Sequence, residues 1–201
     1  MTESLANENE LVKKAKNGDR AAFDALARSC AHGIYNLCLR LCGNKASAED
    51  IAQDAFISAY RNIGRFEQKS PFAGWVYRIA VNTWKNRVRY EKRRLFFRHD
   101  SLDEAMETED GQVQRQLPAD DPPADAGVEK AQKSERIQKA LLELGPEAKE
   151  MIVLRDMEEL SYEEISGVLN LPLGTVKSRI ARAREALRVK LLDLQEGEGN
   201  E

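Results

Sequence analysis

Between His99 and Gly127 the sequence has no hydrophobic period, and this divides what the chain can become. The segment contains LPADDPPADAG and nine Asp or Glu against Arg115, so one cation minus nine anions gives −8. Proline-rich, self-repelling and poor in apolar residues, it has too little to bury to repay the cost of ordering it. It reads as a flexible acidic linker. A chain of 201 residues cut there has two parts, each needing its own core, and 42% hydrophobic residues suffice for two modest ones. Clustered carboxylates also raise a metal-dependent nuclease, but that chemistry needs them held at fixed geometry by a rigid scaffold.

The part before the linker reads as four helices. Residues 5 to 16 turn Leu11, Val12 and Ala15 inward. Asn17-Gly18-Asp19 is a turn, with Asp19 placed to cap the next helix. From Ala21 to Cys42, Phe23, Leu26, Cys30, Ile34, Leu37, Cys38 and Leu41 repeat at helical spacing. Ser47 with Asp50 makes an S-x-x-D start for a third helix to Ile63, with Ile51, Ala55, Phe56 and Ala59 inward. Its other face, with Glu49, Asp50, Gln53, Asp54, Ser58 and Arg61, fits a solvated surface or a docking surface for a protein.

Ser70-Pro71 starts the fourth helix, with proline in its first turn. Trp75, Val76, Ile79 and Ala80 turn inward, and Arg78, Asn82, Lys85, Asn86 and Arg89 share another face. Lys85 to Arg98 holds seven cations against Glu91, seven minus one, or +6. Trp84 and Tyr90 interleave with these cations. Cations that hold phosphate beside rings that stack on bases suit melted or single-stranded nucleic acid. A packed aromatic helix with a solvated basic end has the same composition. The opposite charges of this block and the linker suggest a nucleic-acid surface beside an acidic tether.

The second part holds a helix over Val128 to Leu144, with Ile137, Leu141 and Leu144 inward, and another over Glu147 to Met157. Then comes LSYEEISGVLNLPLGTVKSRIARAREAL, residues 160 to 187. Ser161 and Glu164 stand at capping-box spacing, and Asn170-Leu171-Pro172 breaks the helix. The next helix buries Val176, Ile180, Ala183 and Leu187. Outward it carries Thr175, Lys177, Ser178, Arg179, Arg182, Arg184, Arg188 and Lys190, of which six are cationic. Capped helix, tight turn and basic helix make a helix-turn-helix pattern, which a helical hairpin with a solvated basic face would share.

No signal-like segment opens the sequence. The longest apolar stretch, Phe72 to Trp84, is too short to span a bilayer and contains Arg78, so a soluble, cytoplasmic chain is expected. Cys30, Cys38 and Cys42 read as free buried thiols. Cys38 and Cys42 stand at i and i+4 near His32, which leaves a metal or redox site conceivable on spacing, although they lie on the apolar side of their helix.

Taken in order, DIAQDAFISAYRNI (50–63), FAGWVYRIAVNTWKN (72–86) and LSYEEISGVLNLPLGTVKSRIARARE resemble three segments of bacterial sigma factors of the extracytoplasmic-function type. The style is nearest to the envelope-stress, sigma-E-like members. The resemblance runs from Glu10 to Leu192 outside the linker. It implies an all-α fold of two small domains: region two over 1–98, the linker over 99–127, region four over 128–194 and a disordered tail over 195–201. It also implies binding to RNA polymerase core, promoter recognition with melting of the minus-ten element, and control by an anti-sigma factor. No cofactor, metal or catalytic residue is implied.

By the same resemblance Asp50, Gln53, Asp54, Phe56 and Tyr60 meet the clamp helices of the largest polymerase subunit. Phe66, Ser70, Phe72, Asn82, Lys85, Asn86 and Arg89 serve the minus-ten element, with Phe66 or Phe72 flanking a flipped base. Pro172, Gly174, Thr175, Lys177, Ser178, Ala181 and Arg182 enter the major groove at the minus-thirty-five element, with Arg155 and Arg184 near phosphate. The loop FEQKSPF, the small Ala181 and the large Trp84 depart from common members and bear on promoter sequence. A free-standing dimeric repressor or activator needs a dimer interface and two-fold sites instead. A helical adaptor without nucleic acid would not need the charge pattern of the last helix.

Overall fold

The computed structural model of the chain describes residues 2–100 and 126–198. These residues form α1 (Thr2–Lys16), α2 (Arg20–Cys42), α3 (Lys45–Asn62), a 3-10 turn (Ile63–Arg65) and α4 (Phe72–Asp100). They continue with α5 (Ala126–Glu143), α6 (Pro146–Ile152), a π-helical turn (Val153–Met157), α7 (Tyr162–Leu169) and α8 (Leu173–Glu198). No strand occurs among the described residues. Most of the expected linker falls outside them. His99 and Asp100 still belong to α4, Ala126 and Gly127 to α5, and the expected tail is helical as far as Glu198.

In the first unit α2 packs on α1, α3 and α4, and α3 packs on α4. Asp19 caps α2 by accepting the Ala22 amide at 3.1 Å. Gly43 closes α2 at φ 76°, a left-handed conformation that glycine adopts without penalty. The third helix starts three residues earlier than its S-x-x-D pattern suggests. Asn44, not Ser47, is the cap, and it accepts the Ser47 amide at 2.8 Å. Asn caps as well as Ser, and here it comes first in the chain. At α4, Pro71 stands one residue before the helix, and the open Phe72 amide is met by Glu8 of α1 at 2.8 Å.

An aromatic cluster fills one end of this unit. Phe66 stacks on Trp75 with ring centres 4.9 Å apart, and Phe72 meets Phe23 and Phe66 edge-on at 6.0 Å each. Phe66 and Phe72 are therefore core residues, 3% and 1% exposed. The expectation that one of them flanks a base does not hold in this conformation, because both rings are spent on each other and on Trp75. Trp84 is likewise buried, at 4% exposure, and does not alternate with the cations as a stacking platform. Tyr90 is exposed.

In the second unit α8 packs on α5, α6 and α7. Ile137 lies at the surface rather than inward, while Leu141 and Leu144 are buried as the spacing suggests. The helix ending at Met157 closes through one wide turn, with the Glu158 amide donating to Val153 O and Glu159 at φ 57°. The units touch: α4 lies on α6 and α7, and α2 on α5 and the π-helical turn. Their buried side chains form one continuous cluster.

Candidate nucleic-acid interface

The helix-turn-helix is built by local bonds. Ser161 Oγ accepts the Glu164 amide at 3.1 Å, and the Glu164 carboxylate accepts the Ser161 amide at 2.8 Å, a complete capping box. Asn170 ends α7 at φ 53°. The Ser166 hydroxyl donates to Leu171 O, which holds the turn against the helix it leaves. Pro172 stands just before α8, and its carbonyl accepts the Val176 amide at 3.0 Å.

With Val176, Ile180 and Ala183 buried, α8 turns Gly174, Lys177, Ser178, Ala181 and Arg182 to solvent, with Thr175 half-exposed beside them and Pro172 exposed just before the helix. Arg184, also exposed, pairs with Asp156 of the π-helical turn. Arg155 is placed differently from the sequence expectation. It is half-buried, donates to Leu160 O at 2.7 Å and lies 4.9 Å over the Tyr162 ring. Its guanidinium braces the entry to α7 from within, so it is not presented as a free cation.

On α3, Asp50, Gln53, Asp54 and Tyr60 are exposed and Phe56 is half-buried. Asp50 pairs with Arg87 of α4 at 3.3 Å, and Tyr60 meets Phe23 edge-on. On α4, Asn82, Asn86 and Arg89 are exposed, and Arg89 donates to the Asn86 side-chain oxygen at 3.2 Å. Ser70 is exposed in the preceding loop. Lys85 is drawn away from this group. It sits against the second unit, with Nζ 2.7 Å from Glu150 Oε2 and 2.9 Å from Oε1.

Four residues at the junction carry no site expectation from the sequence: Arg40, Tyr77, Glu150 and Glu158. Glu150 follows Lys149 at the edge of the apolar run 151–154, and a charged pair there gives no warning that the acid is fully buried. Burial raises its carboxyl above the usual range, and Lys85 opposes this. Cys30, Cys38 and Cys42 are buried or half-buried on α2, and burial lifts their thiols to about 11, 12 and 11. Thiols so raised are weak nucleophiles at neutral pH. Among the described residues no group of three or more His, Cys, Asp or Glu is arranged to hold a metal.

Two family models match the chain: Sigma-70 region 2 over residues 26–94 and Sigma-70, region 4 over residues 134–187. The chain is 42% identical over 184 residues to the ECF RNA polymerase sigma factor SigW of Bacillus subtilis, covering 91% of this chain and 96% of that one. The chain belongs to the extracytoplasmic-function sigma factors. As a sigma factor it directs RNA polymerase to promoters, and sigma factors are not themselves enzymes. It is also 35% identical to the ECF RNA polymerase sigma-E factor of Escherichia coli K12, covering 96% of this chain and 98% of that one. Among solved structures, the sigma factor RpoE of Bartonella quintana, in complex with the anti-sigma factor NepR, matches with a TM-score of 0.63 at 25% identity. That match covers 84% of this chain and 96% of that one.

Proposed function

We propose that this sigma factor holds polymerase core through the exposed face of α3, melts the minus-ten element along α4 and reads the minus-thirty-five duplex with the start of α8. The observation that carries the reading is the outward row Pro172, Gly174, Lys177, Ser178, Ala181 and Arg182, set at the head of a capped helix-turn-helix. Small and polar residues there admit a base edge, and the flanking cations meet phosphate.

On α3, Gln53 and Asp54 are exposed and supply polar contacts for the clamp helices, beside Asp50, Phe56 and Tyr60. On α4, Asn82 and Asn86 offer amides that both donate and accept, which suits the Watson–Crick edge of one flipped base. Phe66 and Phe72 serve this site from beneath, by fixing the loop that carries Ser70. The chain performs no catalytic step of its own, since nucleotide addition belongs to the polymerase. It works in the cytoplasm, where polymerase and promoter meet. An anti-sigma factor controls it by covering these surfaces, in keeping with the complex of its structural neighbour.

Purified chain added to core polymerase and assayed on a promoter library tests the reading. Transcription from a subset with shared minus-thirty-five and minus-ten sequences is the expected result. Binding of the chain to a two-fold site as a dimer, with no effect on core, overturns it.

A further inference from the structure

A cavity of about 430 Å³, open to solvent at one side, lies between α3, α4 and the turn from α5 to α6. Small-molecule sites run from roughly 300 to 1,000 Å³. Ile51, Trp84, Val88 and Leu142 give this one apolar walls. Gly43 lets Leu142 close it, because a Cβ there would lie 2.6 Å from the Leu142 side chain. No residue of the three surfaces assigned to polymerase and promoter lines it.

The charges around the cavity are unevenly satisfied. Arg87, Lys92 and Lys149 reach it against Glu91 and Glu143. Both acids are already held, Glu91 by Arg87 at 3.4 Å and Glu143 by Lys190 at 3.2 Å. Arg87 is held a second time, by Asp50 at 3.3 Å. Lys92 and Lys149 pair with no acid among the described residues.

Lys149 is the telling case. It is 7% exposed, and its ammonium donates to Leu142 O at 3.3 Å, a neutral acceptor. The adjacent acid, Glu150, is taken by Lys85 at 2.7 Å. The Cys42 thiol on the same cavity wall is lifted by burial to about 11, so at neutral pH it supplies no counter-charge. A charge out of water and without a partner is costly. Burial accordingly pushes Lys149 toward its neutral form. An anion seated in the cavity would supply what the chain does not.

We infer that this cavity binds a small amphipathic anion, a single carboxylate or phosphate on an apolar body. The acid group lies against Lys149 and Lys92, and the body lies against Trp84 and Ile51. The inference stands apart from the assignment of α3, α4 and α8 to polymerase and promoter.

Titration calorimetry of the full chain with decanoate, decyl phosphate, decanol and inorganic phosphate tests the site. Saturable binding of decanoate or decyl phosphate is the expected result, and the tighter of the two names the head group. Decanol and inorganic phosphate should each bind far more weakly, since each offers half of the recognition. Lys149→Met keeps the length of the side chain without its charge. It should weaken the anion at least about tenfold at unchanged circular dichroism, the loss of one charge-assisted hydrogen bond. Lys92→Gln should weaken it severalfold. A decanoate brominated at its far end should quench tryptophan fluorescence, and Trp84→Phe should abolish the quenching. No saturable binding of either amphiphile, undiminished affinity in both lysine variants, or quenching that survives Trp84→Phe overturns the site. Inorganic phosphate bound as tightly as decyl phosphate overturns the amphipathic class.

Discussion

Glu8, near the start of the chain, accepts the amide proton of Phe72, the first residue of α4, at 2.8 Å across 64 residues of sequence. A carboxylate at a helix N-terminus satisfies an orphan donor and favours the positive end of the dipole. It also anchors α1 to the helix that carries Asn82. Glu8→Ala should lower stability by about 1 kcal/mol, within the usual range for a lost cap, while Glu8→Gln should lose less. Urea unfolding of both variants checks this, and equal losses would mean that the acceptor is not what matters.

Gly174 has empty space where a Cβ would go, with nothing within 4 Å. No internal contact requires a glycine there, and alanine is the better helix former by about 1 kcal/mol. Gly174→Ala should therefore hold or raise the melting temperature. If the backbone of α8 approaches DNA closely, the same change should weaken minus-thirty-five binding at least severalfold. A gel-shift titration on the upstream duplex measures it, and undiminished affinity removes Gly174 from the interface.

Asn82 is exposed on α4, and its amide has no partner among the described residues. Strand separation costs on the order of 1–2 kcal/mol per base-pair step, and a flipped-base contact must recover part of it. Asn82→Ala should leave core binding intact and cut open-complex formation by tenfold or more, about 1.4 kcal/mol per tenfold. A promoter mismatched at the minus-ten element should largely restore it. Permanganate footprinting on both templates decides, and normal melting of the matched promoter would make Asn82 a plain surface amide.

Asp54 faces solvent from the middle of α3. Asp54→Lys should keep the helical circular dichroism of the parent and lose co-purification with core, since a reversed charge in a desolvated pair costs several kcal/mol. Retention of both would place the polymerase contact elsewhere.

Alkaline pH should weaken the fold. Cys30, Cys38 and Cys42 are lifted by burial from a usual value of 9.0 to about 11, 12 and 11, and Tyr77 is raised by burial and by Glu158. The folded chain holds these groups neutral, whereas the unfolded chain ionises them earlier. Their contribution is complete below pH 9 and declines as pH rises from 9 through about 12. The thermal midpoint should fall across that window, and less steeply in a Cys30→Ala, Cys38→Ala, Cys42→Ala variant. A flat profile would contradict the burial of the thiols.

Much of this fold was legible because its signals are local. The Ser161–Glu164 box, the Asp19 cap and the stripe Val176, Ile180, Ala183 depend on residues within a few positions of one another. What was not legible depends on distant partners. Nothing near Phe72 announces that Glu8 caps it, and nothing near Glu150 announces Lys85. Phe66 and Phe72 read as rings in a polar loop, but Phe23 and Trp75 meet them only once α2 and α4 have packed. Arg155 read as a cation for phosphate, but a carbonyl and a ring wait for it inside the turn. Side-chain type was readable in each case, and the direction in which the side chain is spent was not.

Four of the six outward cations of α8 are already paired with acids. Arg179 lies 3.6 Å from Glu147, Lys190 3.2 Å from Glu143 and Arg188 2.7 Å from Glu185, while Arg184 holds Asp156. Lys177 and Arg182 have no acid partner among the described residues. When Lys177 or Arg182 meets a phosphate, the duplex releases a condensed counterion. When Arg184 does so it must first leave Asp156, and that carboxylate then gathers a cation from the solution. Release at one side and uptake at the other nearly cancel, so the salt dependence of binding counts only the unengaged cations. The protein should therefore grip its upstream element with a shallower response to ionic strength than its six basic residues suggest, and Asp156→Asn should steepen it.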